Sequence, residues 1–294
     1  MVMREFALDT AFGRLAGLRG GDGVPVLALH GWLDNAASFM PLAPQLAGIE
    51  LVALDLPGHG RSAHLPPGAE YSLAGTVHTV LDAADALGWE RFAVLGHSMG
   101  AAIGSILAAA APERVERFLA IEALGALADR EDRTASRLRE AVAARRALAG
   151  KRLRAFPELD AAIRARMQAN ALSEPVARLL VERGTRVVRA KDASGFEWSS
   201  DPRLTISTAV RMTEGQVRDL IANIACPVRV LYADPAPPYF PEPLRRERAA
   251  CLSRGEMVVL PGGHHLHMED PQAVAAAIGG FFIAPRQDAA KNRR

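Results

Sequence analysis

The pentapeptide GHSMG at residues 96–100 constrains the fold of this chain more than any other segment. An apolar run at 91–95 precedes it, and a run of small residues, typical of a closely packed helix, follows at 101–108. A chain that passes from a strand into a helix across one serine turns so sharply that both flanking side chains must nearly vanish. Such a helix also directs free N–H groups and the positive end of its dipole at the serine. We therefore interpret Ser98 as a candidate nucleophile at a strand–turn–helix junction.

A serine hydroxyl becomes an effective nucleophile when a histidine takes its proton, and a carboxylate holds the tautomer of that histidine. Candidate bases lie near the C-terminus, where His264, His265 and His267 follow a strand-like run at 257–260 and precede a helix predicted at 271–283. Clustered histidines can also indicate a metal site. Adjacent loop residues point in different directions, however, and no cysteine pair, H-E-x-x-H motif or set of carboxylate partners lies nearby in the sequence. We predict no metal site and no cofactor.

Four motifs occur in an order that resembles the α/β-hydrolase fold family over nearly the whole chain. They are LHGW at 29–32, DLPGHGRS at 55–62, the pentapeptide at 96–100, and GH at 263–264 followed by EDP at 269–271. Within the family, residues 29–35 and 196–204 are similar to the serine-hydrolase-like subgroup. The resemblance implies an α/β fold with a doubly wound, mostly parallel, eight-stranded sheet and a helical cap inserted after the sixth strand.

The resemblance also implies roles for individual residues. In the family pattern the general base directly follows a glycine, which points to His264, with His265 as the alternative. The oxyanion that forms during acyl transfer is held by backbone amides. The pattern assigns these amides to Met99, directly after the nucleophile, and to Trp32 in the His-Gly-x turn. Haloalkane dehalogenases and epoxide hydrolases of this fold are excluded, because they need an aspartate where this chain has Ser98.

The carboxylate that orients the base has two candidates. Most of the family carries it after the seventh strand, about three residues past a glycine. Here that strand ends in YADP at 232–235, where alanine replaces the glycine and Asp234 comes earlier than the pattern requires. Glu122 ends the predicted sixth strand, and a carboxylate at that place serves some relatives, including haloalkane dehalogenases. We favour Glu122 and keep Asp234 as the alternative.

Apolar runs alternate with helix-like segments along most of the chain, which predicts right-handed crossovers in a doubly wound sheet. Runs such as 26–30 and 51–55 are apolar almost throughout, as in strands buried on both faces of a parallel sheet. Residues 125–215 lack a convincing core strand and are rich in arginine and alanine. We therefore predict a core formed by 1–124 and 216–285, a helical cap at 125–215 and a flexible tail at 286–294.

Composition narrows the class of partner. The chain has 294 residues, a formal net charge of +2 and two cysteines. Because no strong field attracts polyanions, we predict a small-molecule substrate and neither a nucleic-acid nor a membrane partner. Two distant cysteines and an N-terminus without a secretory pattern predict a cytoplasmic protein. No particular oligomeric state follows from the sequence.

We expect a serine hydrolase that cleaves a carboxylic ester of a small, largely apolar molecule through a Ser-His-acid triad and an acyl-enzyme. Within the same fold, hydrolysis of a carbon–carbon bond, a thioester or an aminopeptidase substrate stays open. A different class also stays open, namely a non-catalytic scaffold that binds a small ligand. The irregular loop after the seventh strand motivates this last alternative.

Overall fold

The computed structural model describes residues 1–148, 155–190 and 193–284. The strands are β1 Arg4–Thr10, β2 Gly13–Gly21, β3 Val24–Leu29, β4 Ile49–Leu54, β5 Phe92–His97, β6 Val115–Ile121, β7 Ala155–Phe156, β8 Thr185–Ala190, β9 Ala193–Trp198, β10 Val228–Asp234 and β11 Gly255–Pro261. The α-helices are α1 Leu73–Ala86, α2 Met99–Ala110, α3 Thr134–Leu148, α4 Leu159–Asn170, α5 Glu174–Gly184, α6 Glu214–Ala222, α7 Glu242–Ala249, α8 Leu266–Glu269 and α9 Pro271–Ile278.

Eight strands form one sheet in the order β1-β2-β4-β3-β5-β6-β10-β11. Strand β2 runs antiparallel to both of its neighbours, β1 and β4, and the other neighbouring pairs are parallel. The carboxyl ends of β3, β5, β6 and β10 therefore meet at one edge, where ligands bind in sheets of this type. The predicted α/β architecture with a mostly parallel sheet of eight strands is confirmed.

Helices cover both faces of this sheet. On one face, α1, α2 and α6 bury an apolar cluster that includes Val80, Ile103 and Ile221. On the other face, α9 packs Val274 against the sheet next to Phe39 from a 3₁₀ turn. Two buried layers explain why the central strands are apolar on both sides, since neither face meets water.

The segment 125–215, which we call the inserted segment, lies between β6 and the main part of α6. It contains α3, α4 and α5 and a separate antiparallel sheet in the order β7-β9-β8. It has its own apolar cluster, including Phe156, Ile163 and Leu180, which also takes in Met268 from α8. No strand of this segment joins the eight-stranded sheet within the described residues.

One helix boundary differs from the sequence-based prediction, and parts of two predicted segments are not described. The C-terminal helix predicted at 271–283 ends at Ile278, because Gly279 follows with φ +48° and turns the chain. Residues 149–154 of the predicted cap and the predicted tail at 286–294 lie outside the described residues. Within the described part of the chain, no helix has the length and apolar character needed to cross a membrane.

Candidate active site

Ser98 occupies the turn between β5 and α2. Its backbone has φ +51° and ψ −113°, a strained conformation for a residue with a side chain. The flanking glycines are required by space: a Cβ on Gly96 would lie 2.6 Å from the Ala101 nitrogen, and one on Gly100 would overlap the carbonyl of Leu29. The Ser98 N–H donates to the Ile121 carbonyl at 2.8 Å, which ties the turn to the end of β6. The neighbouring strands thus hold the serine hydroxyl at the carboxyl edge of the sheet.

His264 lies between a hydroxyl and a carboxylate. Its Nε2 is 3.0 Å from Ser98 Oγ, and its Nδ1 is 3.0 Å from Glu122 Oε2. A carboxylate accepts but does not donate, so the Nδ1 carries the proton and Nε2 is left free to accept the serine proton. This arrangement can deprotonate Ser98 and stabilise the imidazolium that results.

Glu122 directly follows β6, and its side chain is buried. The Glu122 N–H donates to the Leu231 carbonyl at 2.9 Å. The backbone of Glu122 has φ +62°, and in this conformation the side chain reaches the histidine loop. The second carboxylate oxygen, Oε1, accepts the Ala233 N–H at 2.6 Å and faces Arg245 Nη2 at 3.4 Å. Both oxygens therefore have partners, as a buried carboxylate requires.

The other candidate acid lies elsewhere. Asp234 ends β10 and is exposed. Its backbone carbonyl reaches the histidine loop by accepting the Gly262 N–H at 3.1 Å, whereas the carboxylate that contacts His264 comes from Glu122. Of the two carboxylates singled out from the sequence, the fold brings Glu122 to the base.

The two expected oxyanion donors belong to neighbouring segments, the start of α2 and the loop after β3. Met99 is the first residue of α2, so its N–H lies in the first turn, where no carbonyl of the same helix can accept it. Trp32 follows β3, whose end packs so closely on α2 that only a glycine fits at position 100. The Trp32 indole N–H donates to the Leu204 carbonyl of the inserted segment at 2.9 Å, while 55% of the residue stays exposed. An anion at Ser98 thus faces the start of α2.

A second polar cluster lies beside the first, and sequence reasoning missed its centre. Asp34, on the loop after β3, accepts from His265 Nε2 at 3.2 Å and pairs through its other oxygen with Arg166 of α4. The ring of His97 faces the same carboxylate, and its Nε2 donates to the His264 carbonyl at 2.8 Å. Asp34 is far from these residues in the sequence. The one sequence signal that could have drawn attention to it is its place in the HGWLD stretch at 30–34. His265, the alternative base, contacts Asp34.

Burial and neighbouring groups determine the charge states of Asp34, His97 and His267. Burial opposes ionisation of Asp34, but the hydrogen bond from His265 and the charge of Arg166 outweigh it and hold the pKa of Asp34 well below its usual value. Burial lowers the pKa of His97 to about 4 and that of His267 well below its usual value. Both imidazoles are therefore uncharged near neutral pH, and neither is exposed to a substrate.

The atoms of Asp34, His97 and His265 lie close enough to hold a metal ion, since one donor atom from each falls within 4.8 Å of the others. The sequence suggested no carboxylate for the histidine cluster, and the fold supplies one. The Arg166 guanidinium already neutralises that carboxylate, so a divalent cation would leave uncompensated positive charge in a buried place. We interpret the three residues as a buried polar cluster in which His265 is hydrogen-bonded to Asp34, and the absence of a metal stays a prediction.

His30 and Asp55, in the first two motifs, have structural roles. His30 Nδ1 donates to the Gly31 carbonyl at 2.7 Å and its Nε2 accepts the Leu56 N–H at 3.0 Å, which joins the loops after β3 and β4. Asp55 accepts from two backbone amides and forms a buried ion pair with Arg183 of α5. The motifs thus shape the loops around Ser98.

Comparison with known proteins places this architecture in a family. The family model described as alpha/beta hydrolase fold matches residues 24–271. The chain belongs to the α/β-hydrolase family. A serine hydrolase-like protein of Dictyostelium discoideum is 31% identical over 88% of this chain and 74% of its own length. The human serine hydrolase-like protein 2 is 31% identical over 96% of this chain and 94% of its own length.

A solved structure extends the similarity to three dimensions. A hypothetical protein from Pseudomonas aeruginosa PAO1 is 41% identical and superposes with a TM-score of 0.89, covering 95% of this chain and 99% of its own. The expected resemblance to the serine-hydrolase-like branch of the α/β-hydrolase family is thereby confirmed. Family and relatives together support a hydrolase.

Proposed function

We propose that this α/β-hydrolase is a serine hydrolase that cleaves a carboxylic ester of a small, largely apolar molecule, with Ser98, His264 and Glu122 as its triad. One observation carries the proposal, the continuous hydrogen-bond chain from Glu122 through His264 to Ser98 Oγ, with both distances at 3.0 Å. Nucleophile, base and orienting acid are each within reach of the next, which is what acyl transfer by serine requires.

In the proposed reaction, Ser98 Oγ attacks the carbonyl carbon while His264 Nε2 takes the hydroxyl proton. The carbonyl oxygen becomes an oxyanion, to which the Met99 and Trp32 amides donate. The intermediate collapses, the bond to the alcohol breaks, and His264 gives its proton to the departing oxygen. Water then attacks the acyl-enzyme, again losing a proton to His264, and the released Ser98 oxygen recovers that proton.

Exposed aromatic groups favour an apolar substrate. Trp32 follows β3, Tyr239 lies on the loop after β10, and both residues are more than half exposed. Both loops leave the carboxyl edge of the sheet, where Ser98 lies. We propose that the inserted segment, joined to the core by the Trp32–Leu204 and Arg166–Asp34 contacts, forms a cap beside the substrate.

The proposal is tested with a fluorophosphonate probe and p-nitrophenyl esters of graded acyl length. We expect stoichiometric labelling of the protein, blocked by prior denaturation, and turnover that favours uncharged, apolar acyl groups over charged ones. Labelling without ester turnover would redirect the proposal to a thioester or another acyl substrate. Absence of labelling in the folded protein would leave the non-catalytic binding scaffold as the better interpretation.

The assignment of the acid has its own prediction. Glu122→Gln is expected to lower kcat about 10³–10⁴-fold, since an amide facing Nδ1 stabilises the wrong tautomer of His264. Asp234→Asn is the matched control, because it removes the competing carboxylate from an exposed position, and it should change kcat less than about threefold. Steady-state kinetics of the wild type and both variants on one ester measures the two changes in kcat. The reverse ranking would return the role of acid to the loop after β10.

A further inference from the structure

The buried carboxylate of Glu122 needs a compensating charge. Its side chain is 1% exposed, and transfer of a carboxylate from water into such a place is unfavourable unless a partner offsets the lost hydration. His264 is neutral in the resting state of the proposed mechanism and cannot supply that charge. The guanidinium of Arg245, 3.4 Å from Glu122 Oε1, is the cation that faces the carboxylate.

Arg245 is held in place by groups other than Glu122. It lies on α7, and its side chain is 3% exposed. Its Nη1 donates to the Ala233 carbonyl at 2.7 Å and its Nε to the Phe240 carbonyl at 3.0 Å. The guanidinium carbon also lies 4.4 Å from the centre of the Tyr232 ring. Two carbonyls and an aromatic face hold this cation in position beforehand, so little free energy is needed to orient it toward a nearby negative charge.

We propose that Arg245 is a positioning residue, which keeps Glu122 ionised and aligned on His264 and thereby sets the pH range in which His264 is a free base. The proposal rests on the proposed role of Glu122 as the triad acid. A fixed positive charge 3.4 Å from Glu122 Oε1 opposes the arrival of a proton on the Glu122–His264 pair. Its removal makes proton uptake by the pair easier and moves the loss of activity to higher pH.

Other described titratable and charged groups near the pair do not replace this charge. They are His97, His265 and His267 on the histidine side, Tyr232 and Tyr239 beside Arg245, Asp34 with its partner Arg166, and Arg248. His97 and His267 are uncharged near neutral pH. Desolvation raises the pKa of both tyrosines, so the phenols are uncharged too. Arg248 forms its ion pair with Glu214.

The test compares Arg245→Gln, Arg245→Lys and Arg248→Gln by the pH dependence of kcat/KM on one ester. Arg248 is a matched control, because it lies on the same helix, is as deeply buried and donates to the Leu124 and Ala126 carbonyls. In Arg245→Gln we expect the acidic limb of the pH profile of kcat/KM, where activity is lost as the pH falls, to move up by about one pH unit. We also expect kcat on the plateau to fall about tenfold, with KM within about threefold. Arg245→Lys and Arg248→Gln should keep the limb within about 0.3 units.

An unmoved limb in Arg245→Gln, or an equal shift in Arg248→Gln, would overturn the inference. If Arg245→Gln does not fold, Arg245→Lys still decides, because it retains the charge and loses the guanidinium that also donates to the Ala233 and Phe240 carbonyls. An acidic limb displaced by about one pH unit in Arg245→Lys would contradict an electrostatic role. Glu122→Gln is measured in parallel. A large loss of kcat in that variant with an unmoved limb in Arg245→Gln refutes the role of Arg245 alone, whereas no loss refutes the triad acid and this inference with it.

Discussion

Ser98→Ala is expected to abolish ester hydrolysis and fluorophosphonate labelling while the protein stays folded. Loss of a triad nucleophile lowers kcat on the order of 10⁶-fold, because no other group can form the acyl-enzyme. The methyl group of alanine keeps the Cβ that the strained turn already accommodates, so the melting temperature should shift by less than about 3 °C. Burst kinetics with a p-nitrophenyl ester measures the loss of hydrolysis, and in-gel detection of the probe measures the loss of labelling.

Ser253→Ala is the matched control for this experiment, since Ser253 is exposed on a turn before β11 and lies on no elbow. It should keep both labelling and turnover. Near wild-type hydrolysis by Ser98→Ala would refute the proposed mechanism as a whole.

His264→Ala is expected to lower kcat by about 10⁵–10⁶-fold, because Ser98 then has no group to take its proton. The probe should also label this variant far more slowly, since phosphonylation needs the same activated oxygen. In the wild type, hydrolysis should decline at acid pH as the base becomes protonated. Single-turnover rates across pH measure both expectations.

His265→Ala separates the two adjacent imidazoles. His265 is buried and bonded to Asp34, so its loss should lower thermal stability and reduce kcat by no more than about tenfold. If His265→Ala proves more damaging to kcat than His264→Ala, the base is the second histidine of the pair and the proposed chain from Glu122 to Ser98 is not the catalytic one.

Much of the architecture was predictable because it depends on local rules. The apolar runs that became β3 and β4 are buried on both faces, and a strand in that situation cannot alternate. Ser72 caps α1 by accepting the Gly75 N–H, so the start of that helix is also determined by residues close together in the sequence. The end of α9 was missed, because an apolar, helix-like pattern continues past Gly279 while the backbone at that glycine does not.

Contacts between distant residues were harder to predict. Glu122 and Asp234 both end predicted strands, and the sequence ranked them only by how well each position matches the family pattern. Which of the two carboxylates reaches His264 depends on the pairing of β6 with β10. This pairing places the Ala233 N–H against Glu122 Oε1 and leaves Asp234 exposed at the strand end. Arg245 is one of many arginines in the sequence, and nothing local distinguishes the one that faces the buried carboxylate.

The sequence by itself determined the elbow at Ser98, the order of the motifs and the parallel sheet, because a strained turn between two glycines and doubly buried strands follow from steric limits within a few residues. Only the tertiary structure decided which partners meet. Glu122 contacts His264, and Asp34 contacts His265 and Arg166, across long separations in the chain. The physical reason is that a buried charge is stable only where the whole fold brings its partners together, and that condition leaves no local pattern in the sequence.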